Sequence, residues 1–190
     1  IVDIQIDFAA GGAYAPEDKA GLAGLTHGLL DTGAGELDEE KIADRLADIG
    51  ARLGGSVDQD RASISLRSLS SAREREAALE LMRLVLQQPM FPAAALEREK
   101  ARSIAGIREA DTRPGSIAAK RFAAALYPGH PYGRLPTVES VEKITRDDLL
   151  TGGCALLSIF IREPSFVGQT KDRLSTEEAA KWVENAVRDH

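Results

Sequence analysis

The sequence predicts an α+β fold, with helices packed on one face of a mainly antiparallel sheet. Three observations predict it. The chain opens with strand periodicity, two strand-like segments flank a turn at 58–60, and a series of strongly helical stretches follows. At 190 residues the chain can bury a core of ordinary size. Hydrophobic residues make up 43% and aromatic residues only 5%, so that core is expected to be rich in Leu, Ala, Ile and Val.

In chain order, Ile1, Asp3, Gln5 and Asp7 alternate with Val2, Ile4, Ile6 and Phe8, the two-residue period of a strand reaching Ala9. Gly11, Gly12 and Pro16 break it. A helix is expected from about Lys19 to Asp31, closed by Gly33, with a turn over Gly35 to Glu39. Asp38 is placed to cap a second helix that reaches Leu46 or Ile49, with Gly50 beyond its end. Ala51 to Val57 and Ala62 to Leu69 read as strands around Asp58-Gln59-Asp60. Ser71 opens a helix whose Ala77, Leu81, Leu84 and Val85 share a face, and Pro89 and Pro92 end it. Ala93 to Asp111 is a long helix, and Pro114 starts another that runs to about Leu126. Tyr127 to Pro136 is a loop. Thr137 and Thr145 each cap a short helical turn, ending near Val141 and Leu150.

Charge and composition exclude several functions. A net charge of −6 argues against a broad nucleic-acid or anionic-membrane footprint, which needs clustered Lys and Arg. The single cysteine, Cys154, excludes an internal disulfide. No run reaches the roughly 18 apolar residues of a membrane helix. Ile1 enters a strand directly, without an initiator methionine, so the N-terminus is expected not to be native and any leader to lie upstream.

Four segments carry a resemblance. The opening strand leads to Gly11-Gly12-Ala-Tyr-Ala-Pro-Glu. Then comes Gly21-Leu-Ala-Gly-Leu-Thr-His-Gly-Leu-Leu-Asp-Thr-Gly33. Further on lie Phe91-Pro-Ala-Ala-Ala-Leu-Glu-Arg-Glu and Tyr127-Pro-Gly-His-Pro-Tyr-Gly-Arg, the latter followed by Val141-Glu-Lys-Ile-Thr-Arg-Asp-Asp-Leu. Their order and spacing over residues 1–150 resemble the insulinase/pitrilysin family of zinc metallopeptidases. In that family the second segment is a helix of the form G-x-A-H-x-x-E-H-x-x-x-x-G. Its histidines bind zinc and its glutamate activates water. Here Gly24 and Gly28 stand at the ligand positions and His27 at the base position. A third ligand, a glutamate seven residues after the one matched by Glu99, falls at Gly106. Glu109 lies nearly one helical turn further along. A catalytic zinc needs about three protein ligands and an open position, which one imidazole among glycines does not provide.

The resemblance therefore implies a non-catalytic homologue, with no catalytic residues and no zinc. It would serve as a partner of a homologous active peptidase subunit, or as a peptide-binding one. The region Ser56 to Leu69 is expected to offer a sheet edge for an extended peptide. A relocated metal site drawing on His27, Asp31, Glu99, Glu109 or His130 is the alternative. Glu97, Arg98, Glu99, Lys100 and Arg102 read as a solvated face of charge pairs.

After Leu150 the pattern changes. Ala155 to Ile161 is an apolar run of strand length, and Glu163-Pro-Ser-Phe-Val-Gly-Gln-Thr-Lys-Asp-Arg-Leu174 follows. Residues 151–190 resemble the transducer segment of the ATPase subunit of type II topoisomerases, gyrase B or its topoisomerase IV counterpart. That resemblance implies nucleotide contacts at Gln169 and Lys171, an amide and an ammonium suited to a phosphate. Residues 1–150 show no Gly-rich lid or magnesium-binding residue of an ATP-binding domain, so ATP is not expected as a cofactor. Ser175 and Glu178 form a capping box for a helix to Arg188, with Ala179, Trp182, Val183 and Ala186 as its stripe. Two units, 1–150 and 151–190, thus meet near 149–152, by natural fusion, genomic rearrangement or assembly artefact. The Ala155 to Ile161 run is expected to pair beside the first strand or the Ala62 to Leu69 strand. The first family points to the bacterial periplasm or envelope, the second to the cytoplasm.

Overall fold

A computed structural model describes residues 1–150 and, as backbone, the strands at 155–160, 166–167 and 173–174. In chain order the elements are β1 (Val2–Phe8), α1 (Leu22–Leu29), β2 (Gly33–Ala34), β3 (Leu37–Asp38), α2 (Glu39–Asp48), β4 (Arg52–Val57) and β5 (Ala62–Ser68). There follow α3 (Ala72–Gln87), α4 (Ala93–Ala110), α5 (Pro114–Leu126), α6 (Val138–Glu142), α7 (Arg146–Leu149), β6 (Ala155–Phe160), β7 (Phe166–Val167) and β8 (Arg173–Leu174). The fold is α+β, as the sequence predicts.

The main sheet has the order β4-β5-β1-β6, and all its pairings are antiparallel. Val2 pairs with Ser68 and Phe8 with Ala62 on one side of β1; Asp3 pairs with Phe160 and Phe8 with Ala155 on the other. The expected pairing of the Ala155 to Ile161 run thus takes the first of its two alternatives, beside β1. The two-residue period sorts the sheet. Ile4, Ile64 and Leu66 are buried on one face, and the register places Asp3, Gln5, Ser65 and Arg67 on the other.

Two apolar clusters hold the described residues together. The first joins Ile4, Ile64 and Leu66 to Ala34, Leu37, Ile42, Ala78, Leu81, Met82 and Val85 of the helical layer. The second joins Leu25 and Leu29 of α1 to Phe91, to Ala95 and Leu96 of α4, and to Val141, Ile144 and Leu149 around α6 and α7. Asp38 caps α2, its carboxylate accepting from Lys41 N at 2.9 Å. Thr137 and Ser140 form a reciprocal capping box, and Thr145 and Asp148 form a second.

Two expectations need correction, and one loop gains detail. Helix α1 is shorter than Lys19 to Asp31, because Gly21 takes φ 104, which a side chain would oppose, and the helix starts only at Leu22. Gly33 does not close that helix but lies in β2, which pairs with β3 where a turn was expected. The long loop after α5 contains a single 3-10 turn at Pro131–Gly133. Among the described residues no helix is long and apolar enough to cross a membrane.

Candidate functional site

Helix α1 turns Leu25 and Leu29 inward, at 4% and 0% exposure, which fixes its rotation against α4. That rotation decides what the glycines mean. Among the described residues, a Cβ added at Gly24, at Gly28 or at Gly106 of α4 meets nothing within 4 Å. None of the three has positive φ, so neither close packing nor backbone conformation requires glycine there. His27 is different. Its Nε2 lies 2.6 Å from where a Cβ on Gly55 would stand, and Ser63 O lies 1.9 Å from the same point. Gly55 is the close approach that lets the imidazole lie against β4.

The zinc that the family frame implies does not fit these residues. Gly24, Gly28 and Gly106 bring no donor atoms. Among the described residues no group of three His, Cys, Asp or Glu side chains could hold a metal ion. The alternative ligands are engaged elsewhere. Glu109 is exposed and pairs with Arg113 at 3.5 Å, and Glu99 pairs with Arg102 at 3.1 Å. His130 Nδ1 accepts from Tyr132 N at 3.2 Å.

The surroundings of α1 are tied down by specific contacts. Gly12 N donates to Asp58 O and Ala13 N to Gln59 O, both at 2.8 Å, docking the loop after β1 on the β4–β5 turn. A Cβ at Gly11 would stand 2.4 Å from Arg61 N, so glycine is required there. Tyr132 Oη donates to Asp60 at 2.5 Å, and this bond holds the phenol above its ordinary pKa. Tyr127, His130 and Tyr132 contact one another edge to face or tilted, with centroids 4.8–5.9 Å apart. Ser140 Oγ donates to Ala20 O at 2.8 Å, and Lys19 Nζ pairs with Asp148 at 2.5 Å. The Lys19 ammonium, with Thr145, holds the Asp148 carboxyl at about 2.

Two features escape the sequence reading. Lys100 is largely withdrawn from solvent: its side chain is 13% exposed, and besides a 3.9 Å pair with Glu97 its Nζ donates to Glu142 O at the end of α6 and to Ile144 O between α6 and α7. Arg98 reaches across to Glu39 at 2.9 Å as well as to Glu99 on its own helix at 3.7 Å. Local i,i+3 spacing gave no signal of the distant partners. The expected edge also moves. Strand β5 lies between β4 and β1, so Ser56 to Leu69 is not an edge as a whole. Among the described strands, the open one on that side is β4, Arg52–Val57. Gln169, Lys171 and the Ser175 to Arg188 helix lie outside the described residues.

Comparison with known proteins gives two matches along the chain. The family model described as Insulinase (Peptidase family M16) matches residues 1–136, and that for DNA gyrase B matches residues 135–190. A solved peptidase M16 inactive domain from Pseudomonas fluorescens is 34% identical, with a TM-score of 0.73 over 78% of this chain and 36% of its own. The Helicobacter pylori non-peptidase homolog YmxG is 26% identical over 77% of this chain and 34% of its length. The B subunit of DNA topoisomerase 4 from Bartonella bacilliformis is 59% identical over 46 residues, 24% of this chain and 7% of its own. The chain therefore spans about a third of the insulinase-type relatives and a small part of the topoisomerase.

Proposed function

Because the chain belongs to the insulinase family (peptidase family M16), we propose that it is a non-catalytic member, acting as a partner or peptide-binding subunit of a homologous zinc peptidase. One observation carries this reading: the positions matching the three ligands, Gly24, Gly28 and Gly106, are glycines with open space before them among the described residues. The frame around them is intact, from Gly21 at the start of α1 to the Phe91 and Leu96 contacts that seat α4. A chain that keeps the frame and removes every donor is suited to shape a cavity and bind, not to cut. The exposed backbone of β4 supports peptide binding by strand addition. On this reading residues 1–150 form the insulinase-like unit. The packing of Val141, Ile144 and Leu149 with α1 supports that boundary.

The test is to mix the chain with an active insulinase-family peptidase from the same genome and follow light scattering and cleavage of a fluorogenic peptide. The expected result is a stoichiometric complex that cleaves faster than the active chain alone. Zinc retained after dialysis together with peptidase activity of this chain alone would sink the proposal. A second reading, that residues 151–190 act as a topoisomerase segment with Gln169 and Lys171 on a nucleotide, is favoured by the gyrase B match alone. It requires that ATP analogues bind the full chain and that Lys171→Ala abolishes binding.

A further inference from the structure

The polar face of the sheet carries an unusual row at its open edge. Arg52 of β4 stands directly opposite Arg67 of β5, and Arg67 stands opposite Asp3 of β1. Arg67 is committed: its Nε and Nη2 donate to the two Asp3 carboxylate oxygens at 2.6 and 3.1 Å. That pair raises the Arg67 guanidinium above its ordinary pKa. Among the described residues no carboxylate lies within ion-pair distance of Arg52. Like charges directly opposite across a strand pair oppose sheet formation. Arg52 thus has a cation on its inner side and, among the described strands, the unpaired edge of β4 on its outer side.

The next position in that row is one that the described residues do not supply. Gly54 and Ser65, a pair further along, add little bulk, and with Gln5, Arg52, Arg67 and Asp3 they line a shallow concavity of about 360 Å³. We propose that an extended peptide adding to β4 places an acidic side chain in register with Arg52, its carboxylate closing the row Arg52–Arg67–Asp3. This rests on the peptide-binding reading above and names the substrate class for it: segments carrying Asp or Glu. Cross-strand partners stand close enough for such a pair, about 5 Å between Cβ atoms. A guanidinium is suited to hold the carboxylate through two parallel N–H donors. The overall charge of −6 does not oppose this, because at physiological salt charges more than about 8 Å away are largely screened.

The experiment uses the full chain and two fluorescent decapeptides, acetylated and amidated so that no terminal carboxylate is present. They are identical except for a central Glu or Gln. Anisotropy should show the Glu peptide binding about fivefold tighter, with the difference shrinking as salt rises. Arg52→Gln should abolish the difference and Arg52→Lys should keep part of it. Asp3→Asn, which frees Arg67, should strengthen binding of the Glu peptide, a change in the opposite direction from any loss of folding. Amide exchange should slow across 52–57 when either peptide binds. Equal binding of the two peptides, with that protection present, overturns the acidic preference and leaves peptide binding standing. Binding of neither peptide overturns both.

Discussion

Replacing Gly24, Gly28 and Gly106 together with alanine should stabilise the isolated chain. Gly24 and Gly106 lie inside helices and Gly28 lies in the last turn of α1. Glycine in a helix costs about 0.5–1 kcal/mol relative to alanine, through the greater backbone freedom lost on folding. A Cβ at each position meets nothing within 4 Å among the described residues, so none of them imposes a steric penalty that offsets the gain. Taking the lower value for Gly28 at the helix end, the three substitutions should add about 2 kcal/mol. For a chain of this size that raises Tm by roughly 5 °C. Urea denaturation followed by circular dichroism is the assay, with an unchanged m-value and a higher midpoint expected. A loss of stability at any of the three positions would refute the reasoning, because it would mean that something occupies the space before the glycines. The same variant also probes function. If a peptide or partner uses this space, the alanine chain will be more stable alone yet weaker in the complex.

Other substitutions test the packing around α1. Gly55→Ala should cost about 2 kcal/mol or more, since its Cβ would stand 1.9 Å from Ser63 O and 2.6 Å from His27 Nε2; a neutral result in thermal denaturation would contradict that close approach. Leu29→Ala, at a side chain with 0% exposure, should cost about 3 kcal/mol in chemical denaturation, and a cost under about 1 kcal/mol would show that the second cluster is loosely packed. Asp148→Asn should cost about 1 kcal/mol at neutral pH after solvent screening of the partly exposed pair with Lys19. The Asp148 carboxyl titrates at about 2 instead of 3.8, so its contribution is complete above about pH 4 and disappears as pH falls through about 2. A wild-type-to-variant difference that grows on acidification would reverse that sign.

Much of this was legible in residue spacing, and what was not has a physical reason. Strand alternation in β1 and β5, the Asp38 cap and the threonine caps of α6 and α7 are local signals, and each element formed where its signal lay. The degenerate helix was readable because Gly21, Ala23 and Gly33 match the family's frame while Gly24, His27 and Gly28 stand at its ligand and base positions. The β2–β3 pairing was not readable, since two-residue strands carry no period. Nor was the full role of Lys100: besides the pair with Glu97 that its spacing predicts, at 3.9 Å, it donates to carbonyls more than forty residues away. The edge was misplaced for a similar reason. Which strand is outermost depends on β1 entering between β5 and β6, a long-range fact absent from the hairpin's own sequence.

The pairing of β6 with β1 explains how a segment resembling a different family can complete this sheet. What β1 lacks on that side is backbone: a row of amides and carbonyls that must find partners once the helical layer covers the strand. A ladder of hydrogen bonds reads backbone, not side-chain identity, and six residues from Ala155 to Phe160 suffice to pair Asp3 through Phe8. The demand on sequence is a short apolar run with β propensity, which residues 155–160 satisfy whatever their origin. Without β6, β1 would be an unpaired edge, and a bare edge invites association. The sheet thus accepts β6 from the segment that the gyrase B model matches, because the strand it needs there is generic. The α1–α4 site, built from particular side chains and particular glycines, lies wholly within residues 1–136, which the insulinase model matches.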